Sequence, residues 1–156
     1  MIKIITHGTT MIITAFVLYI CGRLLNQRIY EVGKSLIIGF VSSGIVVQIL
    51  KHLIGRARPR LTDNLVFMGP SLKSGYDSFP SGHTAVVFCL AYILSQHFSK
   101  YRIVFYSFAI LAAFSRILGL SHFFSDILAG AILGLIVGKM LSVKIFLSDK
   151  STKWQR

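Results

Sequence analysis

The chain reads as all-α, an integral-membrane helical bundle of about five transmembrane helices. Three observations predict this. Hydrophobic residues fill 54% of the 156 positions, too many for an ordinary soluble domain of that length. They gather in stretches close to the roughly 20 residues that cross a hydrocarbon core. All but one of the connections between those stretches are short.

Five stretches carry the pattern, at 4–22, 32–50, 81–99, 103–120 and 123–143. In lipid every backbone polar group must be satisfied within its own segment, so each stretch is expected to be a helix. The second and third are slightly short and need tilt or local thinning. The first lacks a strong basic start and a small-residue cleavage site, so it is expected to be a retained helix rather than a signal.

The connections 23–31 (RLLNQRIYE) and 99–102 (SKYR) are short and basic. Residues 51–80 form the long loop, punctuated by Gly69-Pro70, Gly75 and Pro80. The tail 144–156 is basic and carries Trp154, an interface anchor. No tandem repeat is visible, so residues 1–156 are expected to form one transmembrane domain. Setting aside the loop cations committed to chemistry, the Lys/Arg bias puts the tail in the cytoplasm and the 51–80 loop outside. Five spans then place the N-terminus outside.

The 17 Lys and Arg outnumber 5 Asp and Glu, for a formal charge of +12. These cations lie between apolar stretches, which suits anionic lipid. No basic helix face or aromatic-studded basic stripe appears, which argues against nucleic acid. Cys21 and Cys89 fall inside apolar runs and read as small buried hydrophobes. No Cys/His spacing or H-E-x-x-H suggests a metal site, and no cofactor is expected.

An ionisable group in a membrane segment costs a few kcal/mol and marks a functional site by default. Lys51, Arg58, His83, Arg116, His122 and Asp126 are such groups. They fall at the end of the second helix, the start of the third, the end of the fourth and the start of the fifth. With alternating helices, all those ends lie on one side of the membrane.

Each piece has a bland reading. Lys51 and Arg58 offer a point charge and a bidentate fork to phosphate oxygens, or simply sit on lipid head groups. Pro80-Ser81-Gly82-His83 opens a helix with a cap and a close-approach glycine, which makes an anion cradle beside an acid/base group. It also fits a plain N-cap with an interfacial His. His122 and Asp126 are four apart and share a helix face, so the carboxylate can hold one ring nitrogen. A polar interhelical clamp would look the same. Ser115-Arg116 adds a hydroxyl and a third cation, though a lone Arg at a helix end often only snorkels. Asp63 and Asp77 have no such partner in the sequence. Together the pieces make one anion site suited to phosphoryl transfer without a metal.

The set Lys51-(six residues)-Arg58-Pro59, then Pro80-Ser81-Gly82-His83, then Ser115-Arg116-(five residues)-His122-(three residues)-Asp126 resembles the type 2 phosphatidic-acid phosphatase family. All eleven motif positions match, in order and spacing. The resemblance implies a metal-free membrane lipid phosphatase. It implies His122 as nucleophile, forming a phosphohistidine, with Asp126 orienting it and His83 as general acid and base. Lys51, Arg58, Ser81, Gly82 and Arg116 would hold the phosphate, with Pro59, Pro80 and Ser115 in support. Many membrane members have six helices, against five counted here.

The implied partner is a phosphorylated membrane lipid of the bacterial inner membrane. Lipid A 1-phosphate is favoured, because Arg56, Arg60 and Lys73 would suit a large polyanionic head group. Ordinary solvated loop charges is the equally weighted reading of those three. Undecaprenyl pyrophosphate, phosphatidylglycerol phosphate and phosphatidic acid are the alternatives. A non-enzymatic anion-binding membrane protein is the contrasting class, disfavoured because binding alone needs no nucleophile.

Overall fold

The computed structural model describes residues 8–62 and 64–153. Five α-helices follow one another: α1 (Gly8–Leu25), α2 (Gln27–Ile54), α3 (Gly82–His97), α4 (Arg102–Leu118) and α5 (Phe124–Lys153). A short 3₁₀ turn, Ser99–Tyr101, links α3 to α4. The all-α bundle expected from the sequence is what forms.

Several boundaries move. The expected connection 23–31 shrinks to Asn26, whose side chain accepts from Arg28 N at 2.8 Å and starts α2 at Gln27. That is an N-cap, and it overrides the polar composition that suggested a loop. A Cβ at Gly22 would collide with the Tyr30 backbone, and one at Gly33 with that of Tyr19. The two glycines therefore let α1 and α2 pack backbone to backbone as an antiparallel pair. At the other end, α5 continues to Lys153 rather than stopping near 143. Residues 144–153 contain no glycine or proline to end it. Trp154 and Asp63 lie outside the described residues.

Among the described residues, three helical segments are long and apolar enough to cross a membrane: Gln27–Ile54, Ser99–Leu118 and Phe124–Ser142. Ile12–Leu25 is apolar and shorter. With 16 residues, α3 is about 24 Å long, less than a hydrocarbon core of about 30 Å. It is also the most enclosed helix, packed against α2, α4 and α5. Its ends meet protein, so it need not reach both lipid boundaries on its own.

The close packing of α3 rests on small residues of α5. A Cβ at Gly134 would collide with Ala85 O, and one at Gly130 would lie 2.6 Å from Ser81 O. Bundles in lipid associate through such small-residue contacts, since apolar burial offers no driving force there. On the other side Cys89 and Ile93 pack against Ala15, Val32 and Leu36. Large apolar side chains face outward along the bundle, including Ile45 and Ile49 on α2, Leu111 and Phe114 on α4 and Ile132 and Ile136 on α5. Lipid is the solvent for such a surface. Cys89 is buried as expected, whereas Cys21 is exposed on the outer face of α1.

Candidate active site

Four helix ends meet at one end of the bundle. The C-terminus of α2 carries Lys51 and closes at Gly55, whose left-handed backbone (φ 60°) donates its N–H to Lys51 O at 2.9 Å. A Cβ there would collide with Gly69 O, so the turn needs glycine. The chain then runs through a short ladder: Ala57 N donates to Val66 O, Met68 N to Gly55 O, and Ser78 N to Arg56 O. Arg58 N donates to Gly75 O. The segment 56–58 is thus gripped from both sides and aims its two guanidinium groups into the site.

The start of α3 is tied to α5, as Ser81 N donates to Asp126 O at 3.0 Å. Ser81 occupies the N-cap position but makes no side-chain cap hydrogen bond. Its Oγ instead accepts from Thr84 Oγ1 at 2.9 Å, so its own O–H is what it can still offer a ligand. A Cβ at Gly82 would touch Val47 Cγ1 at 3.2 Å and Lys51 Cε at 3.9 Å. The glycine therefore lets the helix start sit against the lysine stem. His83, half-buried, is the next residue of the same turn. Pro80 is buried just before the helix, and Pro59 is half-buried after Arg58.

The helix α5 begins at Phe124, so His122 lies in the turn before it and not on its face. The i,i+4 helix argument for a direct His122–Asp126 bond therefore does not apply. Asp126 sits at the third helical position and its Oδ2 accepts from Phe123 N at 2.9 Å, the reciprocal half of a capping box. The same oxygen accepts from Ser78 Oγ at 2.6 Å. Oδ1 accepts from Arg56 Nη1, which also donates to Ser125 Oγ at 2.8 Å. His122 Nδ1 lies 3.7 Å from Asp126 Oδ2 but 2.8 Å from the Ser78 carbonyl oxygen.

That carbonyl decides the tautomer. It can only accept, so Nδ1 must carry the proton and Nε2 keeps its lone pair. His122 is 3% exposed. Burial holds its pKa below the ordinary value, and Lys51 and Arg58 push the same way, while Asp126 pulls back. The neutral imidazole is thereby favoured.

Arg56 corrects a sequence expectation. Weighed as a head-group contact or a solvated charge, it is instead buried, paired with the fully buried Asp126 and stacked 4.4 Å from the Phe123 ring centroid. Asp77 corrects another, since it does have partners. Arg58 grips it through Nε and Nη2 at 2.8 and 2.6 Å, and Lys51 Nζ lies 3.6 Å away. The hydrogen bonds from Arg58 outweigh its partial burial and bring its pKa down to about 2. Arg116 joins from the end of α4 with its Nε buried and without a hydrogen-bond partner, close enough to Arg58 to repel it. Ser115 turns back to Ala112 O at 2.7 Å within its own helix. Of the remaining loop cations, Arg60 is exposed and Lys73 lies 5.4 Å from the Tyr76 ring centroid.

Sequence reasoning missed Ser78, which links two of the expected residues through its carbonyl and its hydroxyl. Its position two residues before Pro80 was the available signal. Among the described residues no three His, Cys, Asp or Glu side chains gather as a metal-binding group.

Comparison with known proteins gives a consistent likeness. The PAP2 superfamily profile matches residues 32–148. A lipid A 1-phosphatase of Rhizobium johnstonii is 36% identical over 106 residues, which cover 66% of this chain and 43% of that one. The chain thus spans less than half the length of that relative. The crystal structure of Aquifex aeolicus LpxE superposes with a TM-score of 0.64 at 27% identity, covering 86% of this chain and 82% of the other. A Bacillus subtilis transmembrane PAP2-type phosphatidylglycerolphosphate phosphatase shares the fold, with a TM-score of 0.70 at 24% identity over 90% and 71% of the two chains.

Proposed function

The chain belongs to the PAP2 superfamily, and on that footing we propose that it is an integral-membrane lipid phosphatase working through a phosphohistidine. One observation carries the reading most directly. The Nδ1–H of His122 is spent on the Ser78 carbonyl, which frees Nε2 beside the cations Lys51 and Arg58.

The steps follow from the groups in place. Lys51, Arg58 and Arg116 take the phosphate oxygens, with Gly82 N–H and the Ser81 hydroxyl at the start of α3. Cations fixed there favour the charge spread over the equatorial oxygens as the phosphoryl group transfers. His122 Nε2 attacks phosphorus while the P–O bond to the lipid breaks. His83, protonated, gives its proton to the leaving oxygen. Water then attacks the phosphohistidine, His83 takes the proton, and inorganic phosphate leaves with His122 neutral again. Asp126 acts on His122 through Ser78 more than by direct contact.

Lipid A 1-phosphate remains the favoured substrate. The support is the likeness to the lipid A 1-phosphatase of Rhizobium johnstonii, which outweighs the loss of Arg56 from the head-group argument. Undecaprenyl pyrophosphate, phosphatidylglycerol phosphate and phosphatidic acid are the competing lipids. The bacterial inner membrane, with the site facing the periplasm or exterior and the C-terminus in the cytoplasm, is the placement that fits the charge bias.

The test is phosphate release by purified protein from each of the four lipids, in chelator. Turnover is expected, fastest on lipid A 1-phosphate. Tight binding of all four without release would point to the anion-binding alternative, and dependence on an added divalent ion would overturn the metal-free mechanism. The pH profile gives a second check. Attack requires neutral His122, whose pKa is held below the ordinary imidazole value by burial, with Lys51 and Arg58 pushing the same way. The rate should therefore hold as pH falls to the ordinary imidazole range and drop only on its acid side. An acidic limb lying above the ordinary imidazole value would be inconsistent with this assignment.

A further inference from the structure

Asp77 lies on the loop before α3, and its carboxylate is seated on the two cations assigned to phosphate. Arg58 holds it with two parallel N–H donors at 2.8 and 2.6 Å, and Lys51 Nζ stands 3.6 Å from Oδ2. A guanidinium offers phosphate oxygens the same forked geometry. No step of the proposed reaction uses this carboxylate. His122 is held by Ser78, and Asp126 is engaged with Arg56, Ser78 and the Phe123 N–H.

Exposure gives the pair a direction. The Asp77 side chain is 40% exposed, against 11% for Lys51 and 16% for Arg58. The anion therefore stands on the open side of the cations, where an arriving phosphate enters. Charge sets the consequence. Lys51, Arg58 and Arg116 with Asp77 leave two net positive charges. A phosphate monoester near its dianionic form carries about that charge with opposite sign. A diphosphate brings more negative charge and a second phosphoryl group to the rim where Asp77 stands.

We propose that Asp77 is a specificity-determining residue of this site, the resident anion that matches the cation cradle to a single phosphate group and disfavours a diphosphate. The proposal rests on the phosphatase reading and names the substrate class within it, a lipid phosphate monoester.

The experiment is isothermal titration of detergent-solubilised protein with inorganic phosphate and with pyrophosphate, for wild type, Asp77→Asn and Asp77→Glu. Binding is read directly, so loss of turnover in a variant does not obscure the result. Wild type should favour phosphate over pyrophosphate once their solution charges are allowed for. Asp77→Asn, which keeps an acceptor for Arg58 and loses the charge, should move the affinity ratio toward pyrophosphate by roughly tenfold, the size expected from one nearby charge in a half-wet site. Asp77→Glu keeps the charge and should retain the wild-type ratio. An unchanged ratio in Asp77→Asn, or equal weakening of both anions, would overturn the proposal and leave Asp77 as a clamp for Arg58. So would a shift in Asp77→Glu as large as that in Asp77→Asn. Failure of wild type to bind either anion would instead count against the phosphatase reading itself.

Discussion

Replacing His122 by alanine should reduce phosphate release by roughly 10⁴-fold or more, equivalent to roughly 5 kcal/mol of barrier. In the proposed mechanism the attacking lone pair is on Nε2, left available because the Ser78 carbonyl holds Nδ1. The decisive measurement is chemical. Rapid acid-free quenching with a ³²P-labelled lipid should trap phosphate on the wild-type chain and none on His122→Ala. His83→Ala should slow turnover yet still take up label from a substrate with a good leaving group, because it removes the proton donor and keeps the nucleophile. Equal labelling of wild type and His122→Ala would sink the nucleophile assignment. The variant should still fold, since His122 makes one side-chain hydrogen bond, and to a carbonyl that water can reach once the ring is gone.

The second large effect concerns stability. Arg56→Met should destabilise the protein by about 3–5 kcal/mol, the usual cost of stripping one partner from a buried ion pair. Asp126 is fully buried, and Arg56 is the cation that hydrogen-bonds it. Without Arg56 the Asp126 carboxylate must either stay charged in a dry site or take up a proton. Protonation would weaken the Ser78 link to Asp126, and with it the hold on His122. Thermal unfolding in detergent reads the loss, and Arg60→Met, at an exposed position, should change stability by no more than about 0.5 kcal/mol. Adding Asp126→Asn to Arg56→Met removes the stranded charge, so the double variant should recover much of the stability without the activity. If Arg56→Met unfolds alongside Arg60→Met, the pair is not a structural anchor.

How far the sequence could be read differs from residue to residue. Five apolar stretches announced five helices, because lipid forces the backbone to satisfy itself locally. Asn26 was hidden inside a polar run that looked like a connection, and only its cap to Arg28 reveals that α2 starts there. Residues 144–153 looked like a tail, although the sequence holds nothing that stops a helix. The candidate site positions were legible as types and spacings: Lys51, Arg58, His83, Arg116, His122 and Asp126 all lie at the same end of the bundle.

What the sequence by itself determined was the class of structure and the cast of the candidate site. Apolar length, helix alternation and the eleven motif positions are local or simply additive properties of the chain. What only the tertiary structure decided was who touches whom. Arg56 and Asp126 are 70 positions apart and Ser78 and His122 are 44 apart. No propensity or period relates residues at such distances. Burial then assigned roles that charge alone could not. It turned Arg56 from a surface cation into the counter-ion of Asp126, gave His122 a backbone carbonyl as its holder, and left Asp77 at the mouth of the cation cradle.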